Sequence, residues 1–398
     1  MRTFALGFGG FVLAAGVALA APAFAYDGIV EKKTFEMPSY TTTGGETIKQ
    51  VRVGWEAYGK LNEAKDNVIL VTHFFSGTSH AAGKYKADDK APGYWDSIIG
   101  SGKPLDTDKY YVISSDTLVN LGAKDPNVVT TGPASVNPDT GKPYGMSFPV
   151  VTIRDFVNVQ KALLDSLGIT SLHAVMGASM GSLQALEWGA AYPDMVKRVA
   201  AVIGGGETNA FLIGWLNVWA APIKLDPNWN NGDYYGKAEP VKGLAESLKV
   251  VTLHANSWKF YDPQFGRKPA EEGKDPRAAM ANQYAVEAFL DKAAAGRAAT
   301  SDANHFLYLI KANQTFVAGN GGSLDEGIAK IKAPVLLIPS ADDLVFPPAQ
   351  AMGALKDKLA KAGKEVSYTE AITTNMGHLD GVVHIAKAGE EIARFMAK

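Results

Sequence analysis

The sequence predicts an α/β architecture: a mostly parallel central sheet, helices on both faces, and a helical segment inserted late in the chain. Three observations carry this expectation. Apolar runs of strand length alternate with helical spacing through the first half, the rhythm of parallel strands joined by crossover helices. That rhythm stops between residues 204 and 331 and then resumes. At the centre, Leu172–Met176 leads into Gly177-Ala178-Ser179-Met180-Gly181, and a helical pattern through Trp188 follows at once. This is the strand–turn–helix context in which a nucleophilic serine is held proud of a sheet. Glycines two before and two after the serine leave the backbone room for that strained turn.

Taken in order, the chain opens on Arg2, an apolar Gly- and Ala-rich run from Phe4 to Ala21, Pro22 and the small-x-small triplet Ala23-Phe24-Ala25. We read residues 1–25 as a cleaved secretory leader with Tyr26 as mature N-terminus. That implies a periplasmic or secreted protein with no stable membrane insertion after cleavage. A membrane anchor is the alternative, because the run is nearly long enough to span. The 398-residue chain is 46% hydrophobic and 20% charged with formal net charge −2, which argues against nucleic acid or an anionic membrane as partner. It contains no cysteine, so disulfides and thiolate metal sites are excluded.

Residues 50–58 alternate apolar and polar side chains, as a half-buried antiparallel strand does. Runs at 67–73, 110–115, 172–176 and 199–203 read as buried parallel strands. Helical spacing covers 152–167. From 206 to 330 the pattern is helical or irregular and rich in aromatics, among them Phe211, Trp215, Trp219, Trp229, Tyr234 and Trp258; this segment is expected to cap the sheet. The core thus comprises 26–205 and 331–398. Strands at 335–339 and 365–370 and an amphipathic helix over 382–396 complete it.

A serine hydroxyl becomes a useful nucleophile once a base takes its proton and a carboxylate orients that base. Asp342 and Asp343 follow the 335–339 strand, and His378 follows the 365–370 strand. Serine, acid and histidine then stand in the chain order of an α/β-hydrolase fold. His384, the other histidine beyond the acidic pair, falls inside the last helical pattern and is read as a helix-face residue. The candidate triad is Ser179, Asp343 and His378. Candidate oxyanion donors are the backbone N–H groups of Met180, directly after the nucleophile, and Phe75, in the loop after an early strand. No metal or cofactor is expected. His73 and His80 share a loop that has no clustered carboxylate in sequence, and Gly204-Gly205-Gly206 lacks dinucleotide-binding spacing.

With these residues in view, the chain resembles the homoserine O-acetyltransferases of the α/β-hydrolase superfamily over nearly its whole mature length. The resemblance rests on Trp55 through Asn62, Gly93-Tyr94-Trp95-Asp96, Thr131 through Pro138, Phe148 through Asp155, the Ser179 segment with Gln184 through Trp188, and Asp343-Leu344-Val345-Phe346-Pro347-Pro348. The last of these favours Asp343 over Asp342. The resemblance implies acylation of Ser179 by a small-molecule ester or acyl donor, then transfer to a hydroxyl or to water, and it implies a homodimer. The departures concern the acceptor. Ala178 and Ser182 stand where the family has glycines. Ala220 aligns with an arginine that binds the homoserine carboxylate, and Leu379 with an acidic residue that holds its amino group. Burying a zwitterion without partners is costly. The expected activity is therefore hydrolysis of a small ester, with O-acyl transfer as the alternative. A non-catalytic binding protein on the same fold is a further alternative, and perhydrolase or carbon–carbon hydrolase chemistry would use the same residues.

Overall fold

A computed structural model describes residues 28–398; the expected leader and the Tyr26 terminus lie outside them. Eight strands form one sheet: β1 (Lys33–Thr41), β2 (Thr47–Tyr58), β3 (Val68–Thr72), β4 (Tyr111–Ser115), β5 (Ala174–Ala178), β6 (Val199–Val202), β7 (Val335–Ile338) and β8 (Val366–Tyr368). Their spatial order is β1-β2-β4-β3-β5-β6-β7-β8. β2 runs antiparallel to both β1 and β4, and every other neighbouring pair is parallel.

Each inner strand is apolar on both faces because each face has its own cover. Val68, Leu70, Val175, Val199 and Leu337 point to one side, against Phe156 and Leu163 of α1 (Ile153–Ser166) and Leu183 and Trp188 of α2 (Met180–Ala191). Their neighbours Ile69, Val71, Met176, Val202 and Ile338 point to the other, against Trp95, Ile392 and Phe395. Each fully buried side chain of this kind contributes about 1.5–3 kcal/mol, so register errors that swap faces are strongly disfavoured.

The sequence pattern did not announce β1. It is an edge strand, largely exposed, and carries Pro38, which an edge tolerates because its outward side needs no donor. Asp155 ties this edge to the core. Its carboxylate accepts the Tyr40 hydroxyl at 2.7 Å, the Thr43 N–H at 2.7 Å and the Thr152 N–H at the start of α1 at 2.7 Å.

Between β6 and β7 the chain forms α3 (Ala210–Leu225), α4 (Val241–Ala255), α5 (Trp258–Phe265), α6 (Ala285–Ala298), α7 (Ala303–Gln314) and α8 (Leu324–Lys330). α4 packs against α3 and α6. α7 returns to the core: His305 Nδ1 lies 2.8 Å from the Asn120 carbonyl, and the Phe306 ring meets Phe75 at 5.2 Å. α8 packs on α2. The last part of the 206–330 segment therefore sits with the sheet.

The expected single helix over 382–396 is three pieces: α9 (Asp380–Val383), a 3-10 turn (Ile385–Ala388) and α10 (Gly389–Ala397). Its apolar period is real, with Ile385, Ile392 and Phe395 buried. The break comes at His384, whose ring bonds Asp380 Oδ1 at 3.0 Å and the Thr374 hydroxyl at 2.6 Å. His384 is thus an anchor at a helix end and not a residue of a continuous helix face. Local side-chain bonding competes with a straight backbone ladder here.

Candidate active site

Strand β5 delivers Ser179 to the head of α2 with φ 56° and ψ −123°, a left-handed conformation that costs an L residue strain. Close approach explains both flanking glycines. A Cβ on Gly181 would lie 2.1 Å from the Thr72 carbonyl oxygen, and one on Gly177 would lie 2.2 Å from Thr72 Oγ1. The two substitutions of family glycines are also accommodated. Ala178 is buried in the strand, and the Ser182 hydroxyl donates to the Ser179 carbonyl at 2.7 Å. Space for that hydroxyl comes from Gly204, where a Cβ would sit 1.6 Å from Ser182 Oγ.

His378 follows β8 in a tight turn led by Gly377 at φ +70°. Ser340, just beyond β7, donates to the Gly377 carbonyl at 2.7 Å. Ser179 Oγ and His378 Nε2 are 2.8 Å apart, and His378 Nδ1 lies 2.8 Å from Asp343 Oδ2. The other oxygen of Asp343 accepts the N–H groups of Val345 and Phe346 at 2.8 and 2.9 Å. The Phe346 ring stacks against the imidazole. Asp342 plays no part in this line; it pairs with Lys259 at 2.8 Å at the surface. Three residues separated by 164 and 35 positions thus form one hydrogen-bonded series, because parallel strands end side by side at one edge of the sheet.

The Ser179 hydroxyl faces a cavity of about 290 Å³ lined by Phe74, Phe75, Ser76, Trp219, Val251, Thr252, Ala255, Ala293, Arg297, His378, Leu379 and Val382. Phe75 sits in the turn after β3, and Met180 opens α2, where a first-turn N–H has no acceptor one turn back. Leu379 thus presents an apolar side chain to the cavity. Its neighbour Asp380 is fully buried outside the cavity, with its carboxylate spent on Thr374, Ser340 and His384. Ala220 is not part of this cavity. It lines a separate one with Phe148, Trp229 and Tyr308, so of the two positions singled out for the acceptor, Leu379 alone lines the Ser179 cavity. Of the insertion's aromatics singled out in the sequence, Trp219 reaches the cavity, whereas Phe211 and Trp258 are exposed. Arg297, Thr252 and Val251 carry no motif. A faint trace exists in the one-turn spacing of Ala293 and Arg297, which puts both on one face of α6.

His80 is less isolated than its loop suggests. Glu56 of β2 lies 3.0 Å from its Nδ1 and 2.9 Å from Lys32 Nζ. Burial alone would push the Glu56 carboxyl up, but these partners hold it down at about 2. Among the described residues no group of three or more His, Asp or Glu side chains could hold a metal.

A model of the alpha/beta hydrolase fold matches residues 93–378. The chain belongs to the α/β-hydrolase family. Its relatives within that family include the homoserine O-acetyltransferase of Methanococcoides burtonii, 41% identical over 84% of this chain and 67% of that protein. Among solved structures, esterase E22 is 51% identical with a TM-score of 0.88, covering 92% of this chain and all of that one. The homoserine O-acetyltransferase of Bacillus anthracis is 37% identical with a TM-score of 0.88, covering 93% and 98% respectively. This α/β-hydrolase chain therefore stands between proteins named for acyl transfer and a protein named as an esterase.

Proposed function

We propose that this protein is a serine hydrolase that cleaves small esters through an acyl-enzyme. The observation that carries the reading is the cavity wall. Beside Ser179 stand Leu379, Val251, Ala255 and Val382, and among the described residues no carboxylate lines the cavity. An ammonium-bearing acceptor buried there would have no counter-charge, whereas water needs none. The likeness to esterase E22 supports the same reading.

In this mechanism Ser179 Oγ attacks the ester carbonyl while His378 Nε2 takes the hydroxyl proton. Asp343 holds the imidazole in the required tautomer and stabilises its charged form. The Met180 and Phe75 N–H groups receive the oxyanion. His378 then protonates the departing alkoxide, leaving an acyl-serine. Water attacks that ester with His378 again as base, and the carboxylic acid leaves as Ser179 regains its proton. The competing reading, acetyl transfer to a hydroxyl acceptor, is favoured by the names of the homologues. An exported protein would meet esters and water but little acetyl-CoA, and recovery of a chain beginning at Tyr26 from a periplasmic or culture fraction would support that location.

The deciding experiment measures products from a chromogenic acetyl ester with and without excess homoserine. We expect free acetate, unaffected by homoserine and absent with Ser179→Ala. Acetyl-homoserine as the main product would overturn the hydrolase reading in favour of transfer.

A further inference from the structure

Among the described residues, Arg297 is the one Lys, Arg, Asp or Glu side chain lining the Ser179 cavity. It extends from α6 beside Ala293, whose small side chain leaves the approach open. Its Nη1 donates to Thr252 Oγ1 at 2.8 Å and reaches the Leu248 carbonyl at 3.5 Å. Thr252 is itself fixed, since its hydroxyl donates to the Leu248 carbonyl at 2.7 Å. These bonds explain one nitrogen and hold the guanidinium plane still. Among the described residues, Nε and Nη2 have no hydrogen-bond partner and no carboxylate pairs with the group. Burial depresses its pKa to about 10, with no opposing acidic neighbour, so it stays charged at neutral pH. A cation held in a low-permittivity wall without a counter-charge favours an anion that can enter. A guanidinium edge with two parallel N–H groups matches a carboxylate bidentately.

We propose that Arg297 is the specificity-determining residue of this site and selects an ester that also bears a carboxylate a few atoms from the scissile carbonyl. The inference rests on the hydrolase reading above and adds a substrate class to it. Cavity size agrees, because about 290 Å³ holds roughly ten water-sized groups, enough for a short dicarboxylate half-ester. The carboxylate sits on Arg297 while the ester carbonyl lies against Ser179.

The test uses matched pairs that replace carboxylate by methyl, followed by acid release at neutral pH. Monoethyl succinate against ethyl butyrate puts the anion on the acyl side; acetoxyacetate against ethyl acetate puts it on the alcohol side. We expect the mature protein to prefer one carboxylate ester over its uncharged match. Arg297→Met should cut that preference tenfold or more, mainly through KM, and Arg297→Lys should regain part of it. Should the Met variant fail to fold, Arg297→Gln, which can still donate to Thr252, replaces it. No preference for either carboxylate ester, or an equal loss on charged and uncharged esters, overturns the proposal and leaves the hydrolase reading standing. If no ester is cleaved at all, the hydrolase reading fails, and glutarate binding to Ser179→Ala, read by tryptophan fluorescence near Trp219, decides the proposal. Saturable quenching that Arg297→Met abolishes upholds Arg297 as a carboxylate site, and its absence overturns it.

Discussion

The two sides of the cavity are built differently. On the sheet side, every polar atom of the Ser179–His378–Asp343 series has a named partner, and Asp343 alone accepts three hydrogen bonds. On the insertion side, α3, α4 and α6 present Trp219, Val251 and Arg297, and polar fixation falls to three bonds shared by one guanidinium nitrogen, the Thr252 hydroxyl and the Leu248 carbonyl. Under the proposed function the difference separates two tasks. The sheet side would hold the reacting groups in place, as catalysis by positioning demands. The insertion would set the shape and charge of what may approach.

That division predicts a graded series of effects. Ser179→Ala should lower kcat by about 10⁴- to 10⁶-fold with an unchanged circular dichroism spectrum. Retained turnover would break the assignment of chemistry to the sheet side. Asp343→Asn should cost about 10⁴-fold in kcat through the wrong imidazole tautomer. Its neighbour is the control: Asp342 pairs with a partly exposed lysine, a contact worth about 0–1 kcal/mol, so Asp342→Asn should change kcat less than threefold. Comparable losses in both variants would mean that the acid role is shared. On the insertion side, Trp219→Ala should raise KM about tenfold with a smaller change in kcat, since it removes wall area in contact with Phe75. A loss confined to kcat would show that the wall also positions the oxyanion loop.

The smallest expected effect concerns acidity. His254 of α4 is buried, stacked on Trp215 and bonded through Nε2 to the Leu344 carbonyl at 3.1 Å. Burial pushes its pKa down to about 4, against a partial opposing effect of that hydrogen bond. Burial lowers His73 and His305 as well. Below about pH 6.5 the unfolded chain takes up protons that these folded imidazoles refuse, so stability should fall as pH drops from there toward 4. Urea midpoints measured across that range test the sign. A midpoint that rises on acidification would contradict it, and His254→Gln should flatten the slope.

Much of this was legible in the sequence because it depends on local signals. Inner strands are short apolar runs, and the elbow is a five-residue motif whose glycines answer contacts with Thr72. The order of Ser179, Asp343 and His378 follows from where parallel strands end. β1 was not legible, because an edge strand with Pro38 and a solvated face lacks the apolar signal. The break at His384 was hidden by an apolar period that continues across it. Asp342 and Asp343 are indistinguishable by spacing, and resemblance to a family motif separated them before geometry did. That Ala220 lines a different cavity was not legible either, because position along a helix does not say which cavity that helix faces. Arg297 was least legible of all. A single arginine in an alanine-rich helix acquires meaning once α4 and α6 are folded over Ser179.

The fit of Ser182 against Gly204 bears on the order in which substitutions can accumulate. With serine at 182, any side chain at 204 collides with its hydroxyl, so the glycine is locked in place. With glycine at 182 that collision is gone, and the next atom a Cβ at 204 would meet is the Ser179 carbonyl oxygen at 3.5 Å, an ordinary contact. The same change at 204 is therefore forbidden in one background and admissible in the other. Exchanging elbows between this chain and relatives with glycine at 182 must move both positions together.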